Sequence, residues 1–248
     1  MDRSLPIWVV TAVVLAVLML LPLGWLVALS LSGDGGAGLS SYRAAHTDAH
    51  LRKALWNTVV LAFWVGIFSL VVGAPMAWLT ARTDLPGKRA VRALMLASFV
   101  TPPFLGAFAW VMLGGPNAGI LNKLWRDLTG AEGPLIDIFT MSGLIFAMTL
   151  YTFPYVFIMI ANTLELIASD LEEAASILGA RRLTVALTVT LPMVAPAIAS
   201  GFILAVLQAL ALFCSPAILA MPAGFHTITT QIWSYFQYPP KIELAAAA

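Results

Sequence analysis

Two histidines have the spacing of a metal site. His46 and His50 lie four residues apart with Asp48 between them, so both imidazoles would share one face of a helix. Paired imidazoles are common ligands of zinc, copper and nickel. The stretch around them is polar, however, and such a stretch is more often a solvated helix. We therefore interpret it as a solvated loop helix and expect no metal site.

Residues for catalysis, ion coupling and nucleotide binding are missing. The apolar segments carry no ionisable side chain at their centres and no His-Glu-x-x-His motif, the groups that ion-coupled transporters and membrane metalloproteases use. Gly87-Lys88 is followed by Arg89 and lacks the upstream glycine of a phosphate-binding loop. We expect no catalytic residue and no cofactor in this chain. If the chain moves a solute uphill, a partner must supply the energy.

The segment from Ser169 to Leu183 predicts a short helix, Ser169–Leu178. Ser169 and Glu172 have the spacing of a capping box, and Gly179 lies where a left-handed residue would end the helix. The helix has no basic face for a lipid surface, but its small and apolar residues would fit a groove on another protein. A simple connection between two spans is the alternative. The proposed face consists of Glu173, Ala174, Ile177 and Leu178.

Composition predicts the elements that carry this segment. Of 248 residues, 60% are hydrophobic and only 10% are charged, whereas a soluble domain has about 25% charged residues. Thirteen basic against twelve acidic side chains give no basic field for nucleic acid. The single cysteine excludes a disulfide within the chain and a cysteine cluster for zinc. The sequence therefore predicts an all-α, polytopic membrane protein.

Five windows free of charge are long enough to cross a bilayer. The last window has room for a further short apolar piece, and Leu244-Ala-Ala-Ala-Ala resembles the start of a helix. We therefore expect a bundle truncated before or within a sixth helix. The predicted spans are 5–31, 54–81, 93–122, 138–164 and 183–225.

Charge and polarity add two further expectations. The loop from Arg82 to Arg92 has four basic residues in eleven, which favours the cytoplasmic side and places the N-terminus inside. Asn57, Asn162 and Gln208 are polar residues within spans. Such residues usually form hydrogen bonds between helices, and we retain these three as candidate pathway residues.

A resemblance makes the helical segment specific. Glu173-Ala174-Ala175, followed by Gly179 and Val189-x-Leu191-Pro192, resembles the EAA signature of ABC importer permeases, although that signature usually has isoleucine at the position of Val189. Three further stretches resemble the same family, and the stretch 217–230 resembles ferric-iron permeases in particular. Polyamine, thiamine and phosphonate permeases are close alternatives. The three further stretches are Asn57-Thr58, 81–87 and 115–119.

The resemblance implies a type I (MetI-like) transmembrane bundle and a set of partners. These are a cytoplasmic ABC ATPase dimer carrying ATP and magnesium, a second permease half, a periplasmic binding protein and the lipid bilayer, without nucleic acid. Residues 1–53 would form the first transmembrane helix and a periplasmic segment. Residues 54–248 would form the transmembrane domain, with the coupling loop at 165–190. The coupling residues implied are Glu172, Glu173, Ala174, Ala175, Ile177, Leu178, Gly179, Leu191 and Pro192.

The implied function is that of an inner-membrane permease subunit, not of an enzyme. It would pass a solute delivered by a binding protein, with ferric iron preferred and the related substrates as alternatives. A passive channel or facilitator is the rival class. The EAA spacing argues against it, because a passive pore has no need of a docking helix.

Overall fold

The computed structural model describes residues 5–33, 36–167 and 170–248. Helices make up most of this part of the chain. A hairpin of two-residue strands, β1 (Ser32–Gly33) and β2 (Gly36–Ala37), pairs Ser32 with Ala37. The helices are α1 (Leu5–Ser30), α2 (Ser40–Thr47), α3 (Ala49–Arg82), α4 (Lys88–Ser98), α5 (Pro103–Gly114), α6 (Ile120–Thr129), α7 (Met141–Leu166), α8 (Asp170–Ile177), α9 (Arg182–Val185), α10 (Leu191–Ala211), α11 (Cys214–Leu219), α12 (Ile228–Tyr235) and α13 (Ile242–Ala247).

Four helical runs in the described ranges are long and apolar enough to cross a membrane, and a bent pair raises the number to five. The runs are Ile7–Ser30, Ala49–Arg82, Met141–Leu166 and Leu183–Ala211. They match the first, second, fourth and fifth predicted spans. The short apolar piece expected after the fifth span is α11, a separate helix.

The third predicted span, 93–122, is wrong as a single helix. α4 and α5 meet at a 103° bend, and the chain between them contains Pro102, followed by Pro103 at the start of α5. A proline has no amide hydrogen, and its ring disfavours a helical residue before it. Two prolines in succession therefore end α4 and start α5 in a new direction.

The fifth span contains a π-helical turn. Helix α9 leads into this turn at Ala186–Thr190, and α10 follows directly from Leu191. Helical turns therefore already precede Leu191-Pro192 within this span. Pro192 cannot donate to the carbonyl of Thr188 and its ring crowds that carbonyl. A widened turn accommodates this mismatch.

The chain divides into two compact units, Met1–Leu55 with Thr230–Ala248, and Trp56–Thr229. In the first unit, α13 packs against α1 and α2. The Ser30 and Tyr42 hydroxyls are 2.8 Å apart and hydrogen-bonded, which fastens the end of α1 to α2. The apolar side chains of α1 are exposed from Ile7 onward, as a lipid-facing span requires.

The second unit is built around α7. This helix packs most extensively against α10 and also contacts α4, α5 and α11. Gly73 of α3 lies so close that an added Cβ would be 2.9 Å from the carbonyl oxygen of Phe153. Small residues allow membrane helices to approach in this way, so Gly73 sets the separation between α3 and α7.

The two histidines do not share a helix. α2 ends at Thr47, Asp48 is extended and α3 begins at Ala49. The reason is that Asp48 Oδ1 accepts a hydrogen bond from the His50 amide at 2.7 Å, a capping contact that favours a new helix start. Among the described residues, no group of three His, Cys, Asp or Glu could hold a metal ion.

Candidate functional site

Helix α8 follows the end of α7 and stops at a glycine. Gly179 has φ of 85°, and the Ala180 amide donates to the carbonyl of Ala175 at 3.1 Å. This six-to-one bond with a left-handed glycine is the Schellman motif, so the predicted helix end is present. The predicted cap, Ser169, lies outside the described residues.

The C-terminal part of α8 presents apolar side chains without cover. Ile177 is 85% exposed and Leu178 is 88% exposed, while Ala174 is also exposed and Ala175 is half-buried. Ala174, Ile177 and Leu178 are three and four residues apart, so they share one face. Two large aliphatic side chains exposed beside an alanine form a surface suited to a protein partner.

Glu172 on the same helix is held by the rest of the bundle. Its Oε1 accepts a hydrogen bond from Thr190 Oγ1 at 2.8 Å and forms an ion pair with Arg82 Nε at 3.2 Å. Arg82 Nη2 also donates to the carbonyl of Ile167 at 3.1 Å. We name Arg82, Glu172, Thr190 and the Ile167 carbonyl the Glu172 cluster.

The Glu172 cluster joins four places in the chain. They are the end of α3, the residue after α7, the first part of α8 and the end of the π-helical turn. The Arg82 side chain is 13% exposed and that of Glu172 is 23% exposed, so solvent screens this pair less than a surface pair. Sequence reasoning missed Arg82 and Thr190, because nothing local indicates contacts across 90 and 18 residues.

A second ion pair lies on neighbouring elements. Arg92 Nη2 of α4 contacts Glu165 Oε1 near the end of α7. Both side chains are about one third to one half exposed. This pair therefore connects α4 to α7 at the surface, where solvent weakens it.

An apolar groove of about 440 Å³ runs beside the π-helical turn. Thr190 belongs both to the groove and to the Glu172 cluster. The apolar groove therefore lies directly next to the Glu172 cluster. The groove is lined by Ala74, Trp78, Ile160, Leu164, Leu183, Ala186, Leu187, Thr190, Leu191, Val194 and Ile198.

The three polar candidates for a pathway lie on different helices. Asn57 Nδ2 of α3 donates to the His226 carbonyl at 2.9 Å. Beside it, the Ile228 amide donates to Thr58 Oγ1 at 2.7 Å. Asn162 is exposed on α7, and Gln208 is half-buried on α10. Asn57 thus fastens α3 to the stretch before α12.

The stretch 115–119 is organised by a buried asparagine. Asn122 Nδ2 donates to the carbonyls of Gly115 and Ile136 at 2.8 and 2.7 Å, and its Oδ1 accepts from the Ile136 amide at 2.9 Å. The asparagine is 0% exposed. An added Cβ at Gly119 would be 2.4 Å from the Gly115 carbonyl oxygen, so only glycine fits this turn.

A family model matches most of the chain. The model described as "Binding-protein-dependent transport system inner membrane component" covers residues 69–248, which include α7, α8 and the π-helical turn. The chain belongs to this family, that of ABC importer permeases. The permease family consists of transport proteins and not of enzymes, and its description places it in the inner membrane.

Curated relatives of this permease differ in the substrates that their names give. A protein of Salmonella typhimurium named as a 2-aminoethylphosphonate transport system permease is 32% identical over 191 residues, 76% of this chain and 66% of its own length. The molybdenum permease ModB of Escherichia coli is 30% identical over 192 residues, 74% and 81% of the two chains. A protein of Haemophilus influenzae named as a ferric transport permease is 27% identical over 190 residues, which are 76% of this chain and 29% of its own length. The match thus spans just under two thirds of the first relative and under one third of the ferric one.

Solved structures confirm the fold of the permease. A bacterial alginate ABC transporter, crystallised with an alginate-bound periplasmic protein, superposes with a TM-score of 0.78 at 18% identity. The match covers 99% of this chain and 88% of the other. The predicted all-α, polytopic ABC importer bundle is therefore confirmed.

Proposed function

We propose that this chain is a permease subunit that passes a solute across the inner membrane, driven by a separate ATPase that docks on α8. The observation that carries the proposal is the exposed apolar face of α8, which ends at a left-handed Gly179. A helix of this kind fits a groove on a partner. ATP closure of the partner would push α8 and rock the bundle between two states.

Each coupling residue has a proposed role. Glu173 would meet polar or basic groups of the ATPase groove, while Ala174 and Ala175 would allow close approach. Ile177 and Leu178 would supply buried apolar area. Gly179 would set the angle to α9, and Leu191-Pro192 would pass the motion to α10. ATP and magnesium would bind to the ATPase, and the chain itself would catalyse nothing.

The proposal includes an orientation and a set of partners. The loop 82–92 and the coupling loop 165–190 would face the cytoplasm, and the N-terminus would be inside. A second permease half, an ATPase dimer and a periplasmic binding protein would complete the importer. Residues 1–53 would contribute a separate transmembrane helix and outer segment, and residues 54–248 the transport domain.

Ferric iron is the proposed substrate. The support is the resemblance of residues 217–230 to ferric-iron permeases and the ferric relative at 27% identity. An organophosphonate is the second candidate, because the relative named for 2-aminoethylphosphonate is more similar, at 32% identity. Uptake of ⁵⁵Fe(III) and of 2-aminoethylphosphonate by cells with and without the intact gene distinguishes the two. Loss of phosphonate uptake alone would reverse the assignment.

Crosslinking tests the docking site. In a Cys214→Ala background, Ile177→Cys should form a crosslink to the ATPase subunit through a short bifunctional reagent. Leu128→Cys is the matched control, since Leu128 is 75% exposed on α6, at the opposite end of the bundle. A membrane-impermeant maleimide should label Leu128→Cys and not Ile177→Cys in intact cells. Labelling of Ile177→Cys from outside would overturn the orientation and the docking site together.

Charge reversal tests the face more finely. Glu173→Lys should weaken copurification of the ATPase while membrane insertion stays normal. Unchanged association would mean that the face is wrongly assigned. Vanadate-sensitive uptake in the reconstituted complex separates an ATP-driven importer from a passive channel, which would be insensitive.

A further inference from the structure

The turn after helix α8 connects this helix to the fifth span. After α8, residues 178–181 contain Gly179 in the left-handed region, and a glycine is the least restrained residue of a chain. A force on α8 carried only through this turn would be partly absorbed as rotation of the linker. A stiff connection needs a second attachment point away from the linker.

We propose that Arg82, Glu172 and Thr190 are positioning residues that form this second attachment and make α8 move together with the π-helical turn of the fifth span. The inference rests on the proposed docking of an ATPase on α8. Glu172 lies in the first part of α8, whereas Gly179 follows its end. Two attachments at opposite ends fix the direction of the helix, which the single turn at Gly179 cannot do.

Arg82 completes the attachment on the other side. Its Nη2 holds the Ile167 carbonyl, the first residue after α7, and its Nε pairs with Glu172. The Nε contact is an ion pair and not an aligned hydrogen bond, so the Thr190 hydroxyl supplies the directional bond to Glu172. A hydrogen bond to a charged acceptor is stronger than one between neutral groups.

At Thr190 the attachment is made to the π-helical turn. A single π turn within an α-helix is strained and often marks a functional position. Thr190 is its last residue and is buried. The apolar groove of about 440 Å³ lies against the same turn, so the turn has space into which it can shift without first displacing packed side chains.

Two threonines of this turn provide a matched pair of variants. Thr190 Oγ1 donates to Glu172 of another element. Thr188 is exposed, and its Oγ1 donates to the Thr184 carbonyl of the preceding turn at 2.7 Å. Thr190→Val and Thr188→Val make the same chemical change, but only the first removes the bond to α8. Thr190→Ser retains the hydroxyl and serves as the rescue variant.

The test uses the assembled complex of permease, ATPase and binding protein in proteoliposomes. Thr190→Val should raise the ATP hydrolysed per solute imported about fivefold, while ATPase copurification and basal hydrolysis stay within about twofold of the wild type. Thr188→Val and Thr190→Ser should keep the wild-type ratio. Equal ratios for Thr190→Val and Thr188→Val would overturn the proposal. So would a parallel fall in complex yield, hydrolysis and import, since that indicates only misfolding.

A spectroscopic measurement keeps the inference separate from the proposed function. Spin labels introduced by Ile177→Cys and Met193→Cys, in a Cys214→Ala background, report the distance from α8 to α10 in the permease itself. Thr190→Val and Glu172→Gln should broaden this distance distribution, and Thr188→Val should not. If the wild-type complex fails to import but the distribution broadens, the function is wrong and the positioning role stands. An unchanged distribution would refute the positioning role in either case.

Discussion

The two ends of the unit Trp56–Thr229 are held by different chemistry. At the end with the Glu172 cluster, two ion pairs connect α3 with α8 and α4 with α7. At the other end, side chains bond to neutral backbone groups, with Asn57 on the His226 carbonyl, Thr58 on the Ile228 amide and Asn122 on Gly115 and Ile136. Arg126 likewise donates to the neutral carbonyls of Pro116 and Asn117. We refer to these as the charged end and the neutral end.

The two kinds of contact differ in how much their geometry can change. An ion pair tolerates several geometries and depends on the surrounding charge and salt. A buried amide that satisfies backbone groups has one good geometry and a large penalty when it is lost. The neutral end is therefore expected to act as the rigid part of the bundle, and the charged end as the part that can shift against it while the Glu172 cluster keeps α8 attached to the π-helical turn.

The largest effect is expected at the neutral end. Asn122→Ala removes three buried hydrogen bonds and should lower the free energy of unfolding by roughly 3 kcal/mol, because the backbone partners remain buried and unpaired. Thermal unfolding of the purified permease in detergent measures it. Asn117→Ala, at an exposed position of the same turn, is the control and should change little. Equal effects would mean that the neutral end is not rigid.

The next effect is expected at Gly179 and concerns import. Valine in the left-handed region costs at least 1–2 kcal/mol, so Gly179→Val should reduce import about tenfold with normal membrane insertion. Gly179→Asn should be milder, since asparagine tolerates this region. Import assays at matched expression separate the two. Wild-type import by Gly179→Val would remove the turn from the coupling mechanism.

A smaller effect is expected for the surface ion pair. In a double-mutant cycle, Arg92→Gln and Glu165→Gln should show a coupling energy of about 0.5 kcal/mol or less, which disappears at high salt. Asn57→Ala at the neutral end should change stability by the same amount at low and high salt. Chemical unfolding at two salt concentrations tests both. Salt dependence at Asn57 would contradict the division into two kinds of contact.

The smallest effect is expected for a hydrogen bond between a neutral and a charged side chain in the unit formed by Met1–Leu55 and Thr230–Ala248. Tyr235 Oη donates to Asp48 Oδ2 at 2.7 Å. Burial acts to raise the pKa of Asp48, but the hydrogen bonds from Tyr235 and from the backbone amides outweigh it, so the pKa lies below its ordinary 3.8. For Tyr235, burial and then the bond to Asp48 raise the pKa to about 12.

The signs of these shifts define the pH dependence. The contribution of Asp48 is present above its unfolded pKa and is lost as the pH falls through the lowered folded value. The contribution of Tyr235 is complete below about pH 10 and is lost as the pH rises through about 12. Tyr235→Phe should therefore raise the pKa of Asp48 and move the acid-side loss of stability to higher pH. Melting curves from pH 3 to 7 measure it, with the exposed Tyr238→Phe as the control.

Local signals in the sequence predicted the parts of the site that depend on local physics. Length and apolarity predicted four of the five spans, and the spacing of Ser169, Glu172 and Gly179 predicted α8 and its end. The Glu172 cluster was beyond such reasoning, because Arg82 and Thr190 meet Glu172 only after the spans pack. Asp48 and the pair Pro102-Pro103 are visible in the sequence and do interrupt helices. The prediction missed both breaks, because it relied on the spacing of the two histidines and on the length of the apolar window. Whether α8 engages an ATPase remains a prediction.

The break between α4 and α5 restricts where this part of the chain can lie. In an unbroken helix, the Phe99 carbonyl would accept a hydrogen bond from residue 103, but that residue is a proline and has no amide hydrogen. Hydrocarbon offers no substitute donor, and an unsatisfied carbonyl there costs several kcal/mol. Non-helical backbone at membrane depth is tolerated only where it is hydrated or covered by protein, so we expect the bend between α4 and α5 to lie away from acyl chains.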